Sequence, residues 1–120
     1  MEIGELQWAG PVLDQLGAAC ADHGLRHFYL PIVDQDIPDR NWEDRWRLHG
    51  PEFHELLRTG GNIVFHCRGG QGRAGLAAAR LLIETGEPPA GAMARVRQAR
   101  PGAIETAGQE DYLLRLEMKF

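Results

Sequence analysis

The 120-residue chain has only two cysteines, no run of lysine or arginine, and no apolar stretch of bilayer-spanning length. Each scarcity excludes something. Two cysteines, Cys20 and Cys67, are too few for a disulfide framework, and their even number is weak support for a bridge once Cys67 has another use. Cys20 falls with Leu13 and Leu16 on one side of an expected helix, as an inert core thiol would. A net charge of −4 without a basic run argues against nucleic acid as the main partner. The absence of a signal-peptide pattern and of a long apolar span points to the cytoplasm and away from a membrane partner. The histidines at 23, 27, 49, 54 and 66 form no convincing ligand set, and His23 and His27 straddle Gly24, so neither a metal nor another cofactor is expected. Repeats and low-complexity tracts are also lacking. The length suits one domain over 1–120, with a single core.

What the chain does have is concentrated in residues 62–75, Asn-Ile-Val-Phe-His-Cys-Arg-Gly-Gly-Gln-Gly-Arg-Ala-Gly. An apolar run delivers Cys67 onto a glycine-rich loop that closes with Arg73 at the mouth of a helix, with five residues between the two. A loop of that length can curl its backbone N–H groups around the oxygens of a dianion, while the helix dipole and a guanidinium add positive potential. A thiol at a helix N-terminus beside a cation is stabilised as thiolate, so Cys67 is expected to be a nucleophile. Phosphate monoester hydrolysis needs those parts. Backbone N–H groups of Arg68, Gly69, Gly70, Gln71, Gly72 and Arg73 would face the phosphoryl oxygens, with Arg73 clamping two of them, and His66 would shape the loop by hydrogen bonding to backbone. The leaving oxygen must also be protonated by an acid from another segment. Asp34, Asp36 and Asp39 are the candidates.

The stretch His66 to Arg73, His-Cys-Arg-Gly-Gly-Gln-Gly-Arg, resembles the His-Cys-x-x-Gly-x-x-Arg motif of the cysteine-based dual-specificity protein phosphatases. It is most similar to their cyclin-dependent-kinase-inhibitor-3-like branch and its bacterial relatives. Pro31-Ile-Val-Asp-Gln-Asp-Ile-Pro-Asp39 is similar to that branch's general-acid loop, and Gly102-Ala-Ile-Glu-Thr-Ala-Gly-Gln109 with Tyr112-Leu113 to its late glutamine-bearing segment. The likeness runs from about Gly4 to Leu116. It implies a phosphatase that acts on phosphotyrosine, and on phosphoserine or phosphothreonine, through a phosphocysteine. Asp34 becomes the favoured acid, with Asp36 its rival, and Gln109 the residue that orients the hydrolytic water. Phosphorylated proteins or small phosphate esters are the implied partners. The chain departs from the family at Ala74, where a serine or threonine usually stabilises the departing thiolate. That departure supports an alternative, a phosphatase-like module that binds phosphoresidues with little turnover.

Other classes fit less well. Gly70-Gln-Gly-Arg-Ala-Gly75 has the form of a dinucleotide fingerprint, but the expected following strand with its terminal acid is missing. A sulfurtransferase loop would leave Asp34 and Gln109 without a purpose.

The secondary-structure pattern is α/β. Helices are expected over 11–23, stopping at Gly24; over 41–58, broken or kinked at Gly50-Pro51; and over 73–85, 88–99 and 106–117. Trp42 and Trp46 read as core. Strands are expected over 26–33 and 63–65, which implies a small parallel-sheet sandwich flanked by helices, protein-tyrosine-phosphatase-like, with the loop at the carboxyl end of a strand. Two strands are few for such a sheet. The family carries more before the point corresponding to Met1, so the chain reads as a member lacking N-terminal strands, or as one whose start lies upstream. An open sheet edge would favour a homodimer.

Overall fold

The computed structural model describes residues 22–30, 37–65 and 72–116, together with Ala19, Ile32 and Cys67. Four helices organise this part of the chain: α1 (Arg40–Arg58), α2 (Gly72–Glu84), α3 (Pro89–Ala99) and α4 (Ala107–Arg115). Most of the helix expected over 11–23 lies outside the described residues. Its end is visible, with Asp22 helical, His23 N–H on the Ala19 carbonyl at 3.2 Å, and Gly24 at φ +72°.

Helix α1 begins where Asp39 caps it, its Oδ1 accepting the Trp42 N–H at 2.8 Å. Asp39, a candidate acid by sequence, is therefore engaged as an N-cap. The expected interruption at Gly50-Pro51 is absent, and α1 runs through both residues to Arg58. Proline removes one helical hydrogen bond and disfavours the turn before it. Here Trp42, Trp46, Gly50 and Phe53 recur on one buried face, so tertiary packing holds the turn that local propensity opposes. The two tryptophans stack, with ring centroids 4.9 Å apart, and Trp46 meets Phe53 edge-on at 5.4 Å. Both belong to the core, as expected.

Helix α2 is the axis of the described structure. Ten of its thirteen residues are buried, including Leu76, Ala79, Leu81 and Ile83, and α3 and α4 both pack on it. A helix apolar nearly all round belongs in the interior. Its small residues allow close neighbours: a Cβ on Gly75 would stand 2.8 Å from Ala103 Cβ, so only glycine lets the segment after α3 lie this close. Pro101-Gly102, with Gly102 at φ +91° and Ala103 N–H returning to the Arg100 carbonyl at 3.1 Å, turns the chain onto that path.

Of the strands expected over 26–33 and 63–65, the described residues, 26–30, Ile32 and 63–65, carry no strand assignment. Their apolar side chains do join the core. Phe28, Leu30, Ile63 and Phe65 pack against the buried cluster while Val64 points outward, an alternation of the kind a strand would give.

Candidate functional site

The mouth of α2 gathers the parts of a candidate active site. Gly72, Arg73 and Ala74 form its first three positions, where backbone N–H groups lack partners within the helix. The Ala74 N–H donates to Cys67 Sγ at 3.3 Å. The half-buried sulfur is thus held on the positive end of the helix dipole. Cys67 is a free thiol.

Arg73 is 4% exposed, and its Nη1 donates to the Ile32 carbonyl at 3.4 Å. This contact ties the loop arginine to the stretch that leads into Asp34. Asp34 and Asp36 themselves lie outside the described residues, as do His66, Arg68, Gly69, Gly70 and Gln71.

Gln109 is fully buried. Its Oε1 accepts from the N–H groups of Glu105 at 2.8 Å and Thr106 at 3.3 Å, while Thr106 Oγ1 accepts the Gln109 N–H at 3.1 Å. This is a capping box at the start of α4. The amide oxygen of Gln109 is therefore committed to backbone and fixes the 105–106 segment.

A residue that sequence reasoning passed over stands at the mouth of α2. Glu105 Oε1 accepts the Gly72 N–H at 3.2 Å, across 33 positions of sequence. Its signal was present, since Glu105 immediately precedes the Thr106-x-x-Gln109 capping pattern in a segment already matched to the family. What the linear chain does not display is that Gly75 brings this segment against α2.

A second polar group lies farther along α2. Arg80 Nη1 donates to both oxygens of Glu43 at 3.0 Å and to Tyr112 Oη at 2.5 Å, and its Nε donates to Glu84 Oε2 at 2.7 Å. Trp46 Nε1 also donates to Glu84 Oε2, at 2.9 Å, and His54 Nε2 pairs with Oε1 of the same carboxylate at 2.7 Å. Burial and the hydrogen bond to Glu43 push the Tyr112 hydroxyl well above its ordinary pKa, against the pull of Arg80. Burial lowers the Arg80 pKa, but Tyr112, Glu84 and Glu43 together hold it above its usual value. A cleft of about 460 Å³ opens beside this cluster, lined by Glu43, Trp46, Arg47, His54, Arg80 and Glu84 among others. Glu43, Trp46, His54, Arg80 and Glu84 in its lining are joined by the hydrogen bonds just described. Cys67, the buried Arg73 and the first backbone N–H groups of α2 lie instead at the other end of that helix. Among the described residues no group of three histidines, cysteines or acids is arranged to hold a metal ion. No helix among them is long and apolar enough to cross a membrane.

Over residues 16–113 the sequence matches the family described as Swiss Army Knife protein, DSP-PTPase phosphatase domain (PTP-SAK). The solved structure of Tk-PTP in the active form superposes with a TM-score of 0.71 at 30% identity, over 83% of this chain and 67% of that one. The fold is accordingly protein-tyrosine-phosphatase-like. No curated protein matches significantly.

Proposed function

Because the chain belongs to the DSP-PTPase family of Swiss Army Knife phosphatase domains, and so is a dual-specificity-type protein phosphatase, we propose that it hydrolyses phosphate monoesters through a phosphocysteine on Cys67. The observation that carries the mechanism is the Ala74 N–H on Cys67 Sγ at 3.3 Å, which seats the sulfur at the N-terminus of the helix whose second residue is the buried Arg73. Phosphotyrosine is the primary substrate class in this proposal, with phosphoserine and phosphothreonine secondary.

The steps follow from what each group can do. The N–H groups of residues 68–73 and the Arg73 guanidinium neutralise the phosphoryl oxygens and hold the ester in line with the sulfur. Sγ attacks phosphorus, the P–O bond to the leaving group breaks, and Asp34 gives that oxygen its proton. Asp34, now a carboxylate, takes a proton from water as the water attacks the phosphocysteine; inorganic phosphate leaves and the thiolate is restored. Gln109 acts in this proposal as a positioning residue, since its oxygen holds the 105–106 backbone. His66 shapes the loop. Residues 26–33 and 63–65 are taken as strands of the parallel sheet, supported by their apolar alternation. The acid loop and the Gly102–Gln109 segment support placement in the cyclin-dependent-kinase-inhibitor-3-like branch.

Hydrolysis of an aryl phosphate tests the mechanism. Activity in the native protein that drops by at least about a thousandfold in Cys67→Ser is expected, since loss of a covalent nucleophile leaves only binding and electrostatic contributions. The module alternative rests on Ala74, which offers no hydroxyl to the sulfur; phosphopeptide binding by the native protein without any turnover would favour it.

A further inference from the structure

In the mechanism proposed above, on which this inference rests, the Gly72 N–H is one of the donors to a bound phosphoryl group. In the structure that donor is taken: Glu105 Oε1 accepts it at 3.2 Å. The fit is close, because a Cβ placed on Gly72 would stand 3.1 Å from Glu105 Cγ, Cδ and Oε1.

The backbone that presents Glu105 is held from several sides. Its N–H is bonded to Gln109 Oε1 at 2.8 Å. The preceding Ile104 is 2% exposed and sits at φ +60°, a conformation unfavourable for a β-branched side chain. Arg97 stabilises that turn, with Nε on the Ala103 carbonyl at 3.0 Å and Nη2 on the Ile104 carbonyl at 2.8 Å. Gly75 admits Ala103 against α2. Packing and strain thus converge on one residue whose carboxylate lies at the helix mouth. Glu105 is nonetheless exposed overall, so its side chain can rotate into solvent while its backbone stays in place.

A carboxylate and a phosphate dianion cannot share one N–H at this separation, and their charges repel. We propose that Glu105 is a built-in competing anion of the phosphate site: it caps α2 while the site is empty, turns aside when an oxyanion enters, and returns as inorganic phosphate leaves. It therefore weakens binding of substrate and product alike, limiting product inhibition without taking part in bond making or breaking.

Competitive inhibition by inorganic phosphate, measured in the native protein, Glu105→Gln and Glu105→Ala, tests this. Glutamine keeps an acceptor but removes the charge; alanine removes both. Each variant is expected to bind phosphate about two- to fivefold more tightly, the scale of one charge at a helix N-terminus, with alanine at least equal to glutamine. KM should fall in parallel while kcat is unchanged. Unaltered phosphate affinity in both variants, with only a lower unfolding midpoint, would reduce Glu105 to a structural cap and overturn the inference. A fall in kcat with KM and phosphate affinity unchanged would overturn it too, by making Glu105 a proton donor. Phosphate affinity is also read by calorimetry, independently of turnover. Binding without any hydrolysis would sink the phosphatase mechanism while still deciding about Glu105; hydrolysis lost in Cys67→Ser with no Glu105 effect would do the reverse.

Discussion

Two single residues have consequences that can be measured. Ala74 places its N–H on the sulfur but has no hydroxyl to offer the thiolate that the proposed mechanism releases from phosphorus. A hydrogen bond to a charged group contributes about 1.5–3 kcal/mol, or roughly ten- to a hundredfold if it acts fully on the barrier. Breakdown of the phosphoenzyme should therefore limit turnover. An aryl phosphate is expected to give an initial burst followed by a slow phase, and Ala74→Ser should accelerate the slow phase by about tenfold or more. A single slow phase with no burst would contradict this. Tyr112 concerns stability. Its hydroxyl is buried against Glu43 and Arg80, and its folded pKa is raised above the ordinary 10.0. A raised pKa means that the folded state favours the protonated form, so the stabilisation is complete below pH 10 and is lost as pH rises beyond it. The native protein should lose unfolding free energy above about pH 10, and Tyr112→Phe should remove that part of the alkaline slope.

At the level of elements, the decisive feature is the junction between α2 and the segment that opens α4. Helix α2 supplies the N–H groups, and the 103–106 segment determines what faces them. Gly75→Ala would drive a methyl group into Ala103, where the added Cβ has only 2.8 Å. Overpacking of that kind costs about 1–3 kcal/mol, which urea unfolding would register, and displacement of Glu105 should change phosphate affinity as well. Thr106→Ala removes one half of the capping box and should lower stability by about 1 kcal/mol with little change elsewhere in the core. Helix α1 teaches a related lesson. Gly50-Pro51 reads locally as a break, yet the aromatic face formed by Trp42, Trp46 and Phe53 carries the helix through it.

For the molecule as a whole, Arg80 is the principal polar tie. It joins Glu43 on α1, Glu84 on its own helix and Tyr112 on α4, beneath the rings of Trp42 and Trp46 at 5.7 and 5.6 Å. Its side chain is 10% exposed, so Arg80→Ala would leave two carboxylates without their cation and should cost about 3 kcal/mol in a denaturant titration. Much of the molecule was legible in the residues themselves. Helices over 73–85, 88–99 and 106–117 follow from periodicity and from Gly and Pro punctuation, and the structure places them at Gly72–Glu84, Pro89–Ala99 and Ala107–Arg115. The spacing from Cys67 to Arg73 put both residues beside the start of a helix, and the structure places Cys67 Sγ on the Ala74 N–H of α2 with Arg73 as its second residue, because so short a separation leaves the chain little freedom. Three things were not local. Continuity of α1 past Pro51 depended on what its aromatic face packs against, the attachment of Gln109 on how the chain enters α4, and the arrival of Glu105 at Gly72 on a glycine thirty residues earlier in the chain. The sequence by itself determined where the helices run and that Cys67 and Arg73 meet at the start of α2, because both are short-range consequences of spacing. Only the tertiary structure decided which carboxylate meets the Gly72 N–H at the mouth of α2, because that contact exists only once α2 and the 103–106 segment are brought together.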